Sequence, residues 1–451
     1  MIAINMHAPL VGAVEKPSHA VWLLQVFSVT LMVFPGYYTV REVGADGYAA
    51  ALLSYLMLML WVAGNLLGRH NSLDYRYKVR ITLAWMWIIS LASYLLMNRT
   101  LLTSVQLTAA DRWLMQLAGM SGIVLVTAEG LHTLEDVRRV LRVLVWAGAF
   151  CGIVAILQFK VGINLAKYLK LPGFSVNSVT SVTAAIVKRG AQHRVPGTAS
   201  DPIELGVAAG MLLTLAVYLM MHDRLRPRWQ RTIPVICIAA AIAASVSRSG
   251  VIAATIALGL LIIGLPSTRR LKGLAAIPVA LAVIFVGSRG LIGTFRNFFL
   301  AGTGDPSISH RTNNYPYVEQ MVSHAPWLGQ GGGTFIPITT QSSLHVLDNQ
   351  YLSTAINLGL LGVAALIFYL IWPTVVAFAA RSRTADPELR DLCMALAGAE
   401  LAAAVCAATF DGLSFPMFFN LQALVAGLIG AVWIIVQSNS GNMKAHQIGG
   451  S

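Results

Sequence analysis

The chain has 451 residues, of which 56% are hydrophobic and only 11% charged, and its mean hydropathy is +0.68. A soluble globular protein carries about 25% charged residues, so these side chains are too few to cover a water-facing surface of this size. The composition therefore excludes a cytosolic enzyme, a secreted domain and a disordered chain, and it predicts an all-α integral membrane protein. The formal charge of +13 can be interpreted only from the positions of the Lys and Arg residues along the chain.

Hydropathy predicts twelve membrane-spanning helices in a single polytopic domain that covers residues 1–451. A spanning helix needs about 20 mostly apolar residues, because the hydrocarbon core is about 30 Å thick. Two short candidates, 232–247 and 273–288, suit tilted or half-buried segments. Residues 438–451 are polar and rich in small side chains, so we expect them to be disordered. The candidate spans are 20–40, 47–67, 81–98, 113–131, 140–159, 202–222, 232–247, 250–266, 273–288, 353–379, 393–410 and 417–437.

Basic residues orient this bundle. Twelve spans place both termini on one side, and with the termini in the cytoplasm each inner loop is short and carries three or four Lys or Arg residues. This agrees with the positive-inside rule. We therefore predict cytoplasmic termini and two long periplasmic loops, 160–201 and 289–350, the second between spans nine and ten. Loops longer than about 12–15 residues in a compact protein are usually functional or disordered.

The loop 160–201 is basic and has no acidic residue before Asp201. One interpretation is that a long loop escapes the positive-inside rule and that its cations, Arg189 and Arg194 among them, are only solvated. The other is a site for an anionic ligand, such as a phosphate or diphosphate, at the outer membrane face. The loop alone does not choose between the two.

Three arginines at the outer ends of spans are candidate site residues: Arg194, Arg248 and Arg289. An ionised group at this depth is paired, reaches back to the interface or is functional. For Arg289 the simpler interpretation is that its side chain extends to the membrane–water interface. Arg248 lies in Ser247-Arg248-Ser249-Gly250, a turn too tight to be a charged spacer, so we favour a functional role. Arginine suits a diphosphate because its planar fork donates two parallel hydrogen bonds and keeps its charge.

The loop 289–350 is polar and aromatic. Residues 309–320 are amphipathic and predict a short helix. The run Gly329–Gly333 lacks the Lys-Ser/Thr of a phosphate-binding P-loop and follows no strand, so we expect a tight turn that passes close to a neighbour rather than a nucleotide site. No His/Asp/Glu cluster has metal-ligand spacing and the four cysteines lie singly in apolar stretches. We therefore expect neither a metal site nor a disulfide framework.

Acid–base candidates lie around the start of the tenth span. Asp348 is either the N-cap of that helix or, with His345 three residues earlier, a group that takes a proton from a hydroxyl. His324, beside Ala-Pro, is interpreted as a structural hydrogen-bonding group. Asp411, between spans eleven and twelve, is either a partner for an outer arginine or a solvated turn residue.

Three stretches, taken in order, resemble the O-antigen ligase and polysaccharide polymerase superfamily of bacterial envelope glycosyltransferases. The likeness covers residues 190–365 closely and the twelve-span layout loosely. The stretches are Arg194-Val-Pro-Gly-Thr followed by Asp201-Pro202, the turn Ser247-Arg248-Ser249-Gly250, and Ser309 to Gly362 with Arg311, the run His324–Gly333 and Asp348-Asn349-x-Tyr351-Leu352.

The resemblance implies a metal-independent and cofactor-free glycosyltransferase in the bacterial inner membrane, with its active site facing the periplasm and no role for nucleic acid. Its donor would be a glycan on undecaprenyl diphosphate, whose prenyl tail enters from the membrane lipid, and its acceptor a hydroxyl of a glycan or of lipid A-core. By this likeness Arg194 and Arg248 match the two arginines that bind the diphosphate, and Arg311 would assist. The other substrate-binding candidates are Arg189, Arg289, His324, Asn349 and Tyr351.

One position departs from the family, because Asp348 stands where the ligases have a histidine that is taken to be the base. Asp348 could itself deprotonate the acceptor, as carboxylates commonly do in inverting transfer, His345 could have taken over, or Asp348 could only position the acceptor sugar. The change favours a polymerase of O-antigen or exopolysaccharide repeat units over a ligase acting on lipid A-core or a protein. The alternative of another class is a lipid-linked oligosaccharide transporter, which should show interrupted helices and ionisable groups near the midplane.

Overall fold

The computed structural model describes residues 19–177, 187–189, 192–271, 273, 314–336, 339–340, 343–344 and 347–448. This part of the chain is mostly helical, with three small antiparallel strand pairs, β1–β2, β3–β4 and β5–β6. The helices are α1 (His19–Val33), α2 (Ala49–Leu66), α3 (Val79–Leu96), α4 (Ser104–Gly130), α5 (Leu134–Val161), α6 (Pro202–His222), α7 (Arg228–Ser245), α8 (Arg248–Gly264), α9 (Tyr315–His324), α10 (Gln350–Arg383), α11 (Pro387–Cys406) and α12 (Pro416–Ile448). The strands are β1 (Tyr38–Val40), β2 (Phe174–Val176), β3 (Val187–Arg189), β4 (Gln192–Arg194), β5 (Thr339–Thr340) and β6 (Ser343–Leu344).

The described helices overlap eleven of the twelve candidate spans, and the ninth candidate, 273–288, lies outside the described residues except for its first position. Six of these helices are long and apolar enough to cross a membrane: α2, α3, α5, α6, α10 and α12. The all-α membrane class is confirmed, whereas the number of spans stays a prediction. The helix α12 extends to Ile448, so it covers most of the segment for which we expected disorder.

The helix α12 lies in the centre of the bundle. Of the most apolar stretch of α12, 94% is buried, whereas only 22% of the corresponding stretch of α2 is buried. Side chains of α2 such as Leu60 and Leu66 face outward. Small residues bring α12 close to α4, because a Cβ on Gly427 would lie 2.7 Å from Cβ of Thr127. Between apolar helices in lipid, close van der Waals packing of this kind drives association.

Glycines also set a close crossing of α6 and α8. A Cβ on Gly250 would lie 2.7 Å from Cα of Gly206, and a Cβ on Gly210 would lie 2.7 Å from Cβ of Ala253. Side chains at these positions would push the two helices apart. Because α8 begins at Arg248, the crossing places this arginine beside the start of α6.

The loops predicted to be cytoplasmic meet at one end of the bundle. Arg138 of α5 donates to Glu388 at the start of α11 (Nε to Oε1, 2.7 Å), and Arg142 donates to Asp223 after α6 (Nε to Oδ2, 2.7 Å). The segments predicted to be periplasmic meet at the opposite end, where the functional candidates lie. The structure thus separates the two predicted sets of loops, and the direction of the bundle in the membrane stays a prediction.

The helix α10 is interrupted at Gly359, which has φ +67° and ψ −170°. The loop before α10 pairs the backbone groups at this break: Leu360 N donates to Pro326 O at 2.8 Å, and Gly331 N donates to Asn357 O at 3.0 Å. Irregular backbone at membrane depth is tolerated where protein covers it. Interrupted helices are expected of a transporter, but this break is covered by the chain's own loop.

The glycine run forms the tight turn that its sequence predicts. Gly331 and Gly333 have φ values of +122° and +76°, and a Cβ on Gly333 would lie 2.6 Å from the carbonyl oxygen of Ala109 in α4. Only glycine fits such a position at no cost. The short helix predicted over 309–320 is found in part: α9 runs from Tyr315 to His324, and residues 309–313 lie outside the described part.

Candidate active site

Arg194 is the last residue of β4, and the residues after it are fixed to α1 and α5. Gly197 has φ +63° and exchanges two hydrogen bonds with the side chain of Gln158, both of 2.8 Å. The hydroxyl of Thr198 donates to Met32 O at 2.6 Å. In the stretch Arg-x-x-Gly-Thr, the glycine and threonine therefore anchor the segment that follows Arg194.

Arg248 is the first residue of α8 and is half-buried. Among the described residues, Val246 is the one non-glycine position with positive φ, at +47°. This conformation is strained for a β-branched residue, and such strain clusters at functional sites. Arg194 Nε donates to Ser245 O at 3.4 Å, across 51 residues of sequence. The two arginines therefore meet at the same turn between α7 and α8.

A positive charge at the first position of a helix opposes the helix dipole. The charge of Arg248 therefore does not stabilise α8 through the helix dipole. A bound anion at this position would interact favourably with both the guanidinium and the helix N-terminus.

The turn that carries Arg248 is bound to the end of α11. The hydroxyl of Thr409 donates to Ser249 Oγ at 2.8 Å, and Cys406 Sγ donates to Ser249 O at 3.4 Å. Tyr351, in the first turn of α10, donates from its hydroxyl to Ala404 O at 2.7 Å. The start of α10 and the arginine turn are thus held by the same helix end.

Asp348 precedes α10 and is exposed. The N-cap is Asn349, whose Oδ1 accepts from Tyr351 N at 2.9 Å and from Leu352 N at 3.3 Å. The interpretation of Asp348 as the cap is therefore wrong, because the amide oxygen of its neighbour already binds the free N–H groups of the first turn. The proposed roles of Asp348 as base or positioning residue stay predictions.

Two further carboxylates lie near Asp348. Burial raises the pKa of Asp201, the N-cap of α6, while the charge of Arg194 lowers it and that of Asp348 raises it. Burial, and to a smaller extent the charge of Asp348, raise the pKa of Asp411 to about 6, against the lowering effect of hydrogen bonds from Ser414 and Ser353. Asp348 is therefore close enough to interact with both carboxylates, and Asp201 is close to Arg194.

The other predicted site residues are less informative. His324 ends α9 and places Nδ1 2.6 Å from Gln320 O of the same helix, which fits a structural hydrogen-bonding group. Arg289, Arg311 and His345 lie outside the described residues, as does the side chain of Arg189. Their roles, and substrate binding by His324, Asn349 and Tyr351, stay predictions.

Sequence reasoning missed Glu204, which is fully buried in the first turn of α6. Its carboxylate accepts from Ser200 N at 2.7 Å, Met417 N at 2.6 Å and Phe418 N at 3.1 Å. It thereby satisfies free N–H groups at the start of α12 and joins that helix to the segment after Arg194. An acid inside an apolar span was the available signal.

A cavity of about 580 Å³ lies next to Asp411, walled by α4, α10 and the loops 44–46 and 411–414. Its charged lining residues are Asp46, Arg112 and Asp411. The first two were not predicted, because isolated charges in separate segments form no motif. A larger cleft of about 830 Å³ lies at the opposite end, between α1, α5 and α6, away from the motif residues.

Replacing Asp411 with asparagine should stabilise the protein at neutral pH. The raised pKa of about 6, against 3.8 normally, means that the folded state binds this proton more tightly. The resulting stabilisation is present below pH 4 and is lost as the pH rises through 6, and a shift of two units corresponds to about 3 kcal/mol. We expect Asp411→Asn to raise the free energy of unfolding by roughly 1–3 kcal/mol at pH 7.5 and not at pH 4.

Thermal unfolding of detergent-solubilised protein measures this change in stability. Asp111→Asn, at an exposed position of α4, is the control, and equal melting temperatures of Asp411→Asn and wild type at pH 7.5 would contradict the prediction.

Within the described ranges, no group of three or more His, Cys, Asp or Glu side chains could hold a metal ion, and all four cysteines are free.

Residues 233–367 match a family model described as O-antigen ligase. The matched range contains Arg248, Asp348 and Asn349 and begins after Arg194, so it covers the second and third stretches of the resemblance. No curated protein matches the chain. The family match supports the resemblance of this stretch to the O-antigen ligase and polysaccharide polymerase superfamily, and the apolar helices agree with a membrane protein.

Proposed function

We propose that the protein is a metal-independent glycosyltransferase of the bacterial inner membrane that acts at the periplasmic face. Its donor is a glycan on undecaprenyl diphosphate, and it polymerises repeat units of O-antigen or exopolysaccharide. The observation that supports this best is the convergence of Arg194 and Arg248 on one turn, together with Asp201, whose pKa is lowered by the charge of Arg194 and raised by that of the exposed Asp348.

The chemistry follows from these groups. The acceptor hydroxyl oxygen attacks the anomeric carbon, and the bond between that carbon and the phosphate oxygen breaks, so the lipid diphosphate leaves with the electron pair. Negative charge grows on the diphosphate during this step, and fixed guanidinium groups stabilise it more in the transition state than before it. Asp348 takes the proton of the acceptor hydroxyl, a role that a nearby carboxylate can fill.

A ligase that transfers finished polysaccharide to lipid A-core, or to a protein, is the second candidate. The description of the matching family model favours it. Asp348 stands at a position where ligases of the family have histidine. This difference favours the polymerase. Both candidates share the donor and the leaving group, so the two arginines have the same role in either.

Product analysis in cells that lack the gene distinguishes the candidates. Carrier-linked and surface glycans are separated by size on gels, with and without complementation by the wild-type chain. Accumulation of single repeat units on the carrier supports a polymerase. Long chains that stay on the carrier and never reach lipid A support a ligase. Lipid-linked units retained at the cytoplasmic face would instead overturn both and favour a transporter.

The base is identified in the same cells. Asp348→Asn and His345→Ala are expressed at wild-type level, and we expect the first to copy the null phenotype and the second to complement. The matched control is Asp111→Asn, an exposed carboxylate of α4 that contacts Tyr94. Full complementation by Asp348→Asn together with failure of His345→Ala would move the role of base to His345.

A further inference from the structure

We propose that the cavity beside Asp411 is a saccharide-binding site that holds the acceptor glycan. This inference rests on the proposed function and deepens it. The cavity of about 580 Å³ falls within the range of about 300–1,000 Å³ that is usual for small-molecule sites.

The walls of the cavity are fixed by hydrogen bonds that use its amide side chains. Gln116 of α4 donates from Nε2 to Leu413 O at 2.7 Å, and Gln350 of α10 accepts from Leu413 N at 2.7 Å. Asn357 of α10 accepts from Phe335 N at 2.8 Å. The helices α4 and α10 therefore hold the two flanking loops in place, and the site is formed before a ligand arrives.

The carboxylates of the cavity, by contrast, are not saturated. Asp46 Oδ2 and Asp411 Oδ1 are buried, and among the described residues neither oxygen has a donor in hydrogen-bonding geometry, although the Ser353 hydroxyl lies close enough to Asp411 to lower its pKa. The other oxygen of Asp411 accepts from Ser414 Oγ at 2.5 Å, and Arg112 Nε lies 3.8 Å from Asp46 Oδ2, too far for a hydrogen bond. Burying an acceptor without a donor is unfavourable, so the cavity suits a ligand with several hydroxyl donors.

Burial raises the pKa of both carboxyl groups to about 6, although the charge of Arg112 lowers that of Asp46. Burial is the largest cause of both shifts, and since both values lie below 7 the ionised forms predominate at neutral pH. Two carboxylates against one guanidinium repel a diphosphate. The cavity therefore suits the sugar part of a substrate rather than the lipid diphosphate, which the arginine turn attracts.

Aromatic rings provide the second feature of a saccharide site. Trp113 and Phe335 line the same cavity, and Trp113 is held in place because its Nε1 donates to Ser90 Oγ at 3.0 Å. A pyranose presents hydroxyls at its rim and C–H groups on its faces, and those faces pack on aromatic rings. Neither a lipid chain nor an inorganic anion needs both a ring and unsatisfied carboxylates.

The position of the cavity suits the acceptor. Asp411 and Gln350 line the cavity, and Gln350 begins α10 two residues after Asp348. The charge of Asp348 also raises the pKa of Asp411 and that of Asp201. A glycan bound at Asp411 would therefore present a hydroxyl toward Asp348, while the donor diphosphate lies at the arginine turn. The outer end of the bundle is thus divided into a saccharide side and an anion side.

The test uses the full chain in lipid nanodiscs and a water-soluble oligosaccharide released by mild acid from the surface polysaccharide of the host. This probe carries no lipid diphosphate, so it reports on the saccharide side alone. Isothermal titration should show binding to the wild type, and Asp411→Ala and Asp46→Ala should each weaken it at least tenfold, because a charge-assisted hydrogen bond contributes that much. Asp111→Ala, at the exposed position of the same bundle end, should bind as the wild type does.

Binding that is retained by either cavity variant overturns the proposal, and so does loss of binding in Arg248→Ala. A measurement on the unaltered chain guards against misfolded variants: a diazirine derivative of the same oligosaccharide should label peptides from 109–116 or 353–358, and labelling only elsewhere overturns the proposal. Failure of the proposed function shows separately, as glycan transfer that survives in Arg248→Ala.

Discussion

Replacing Arg248 with alanine should lower glycan transfer at least 100-fold and leave the fold intact. Removing one preorganised group that stabilises developing negative charge typically costs about 10²–10³ in rate. The fold should tolerate the change because α8 packs through Gly250 and Ala253, and a cation at the first helical position does not stabilise the helix.

The rate is measured with purified protein and lipid-linked repeat units, and surface polysaccharide is measured in complemented cells. Arg248→Lys keeps the charge but loses the planar fork, so we expect partial recovery at most. Arg99→Ala is the matched control, because Arg99 is an exposed arginine near the same end that stacks on Tyr94 and belongs to none of the motifs. Wild-type transfer by Arg248→Ala would refute the diphosphate site.

Replacing Glu129 with alanine should destabilise the protein by about 3–5 kcal/mol, the usual effect of removing one partner of a buried charge cluster. Glu129 lies near the end of α4 and is 3% exposed. Its carboxylate accepts from Trp61 Nε1 at 2.7 Å and Tyr77 OH at 2.8 Å, contacts His70 Nε2 at 2.6 Å, and pairs with Arg80. Alanine would leave all four side chains without this acceptor.

Thermal unfolding in detergent measures this effect, with Asp74→Ala as the control. Asp74 is an exposed acid in the connection between α2 and α3, which also carries His70, and it accepts from Asn71 Nδ2 at 3.0 Å. Surface pairs of this kind contribute about 0–1 kcal/mol. If Glu129→Ala melts within one degree of Asp74→Ala, the cluster does not hold α2, α3 and α4 together.

The sequence singled out Arg194 and Arg248 as candidates but could not show that they meet at one turn. Arg194 reaches the turn of Arg248 because Gln158 and Thr198 anchor the segment that follows it, and because Gly206 and Gly250 let α6 and α8 approach. These are contacts between residues far apart in the chain. Hydropathy and local motifs carry no information on such pairs.

The sequence also could not decide which of two adjacent residues of similar chemistry caps α10. Asp348 and Asn349 both have a side-chain oxygen that can cap a helix, so only the backbone conformation decides between them. Asn349 has φ −159° and ψ 114° and caps α10, which leaves the neighbouring carboxylate exposed. The same limit applies to α10, since hydropathy predicts one continuous span while Gly359 interrupts it.

What the sequence alone determined is the membrane class, the positions of most of the described helices and the stretches that resemble the superfamily, because apolar length and short motifs are local properties. What only the tertiary structure decided is the cavity beside Asp411. Its carboxylates come from a loop after β1 and a turn before α12, and its rings from α4 and the glycine turn. Isolated residues of this kind acquire a common role only when helix packing brings their segments together.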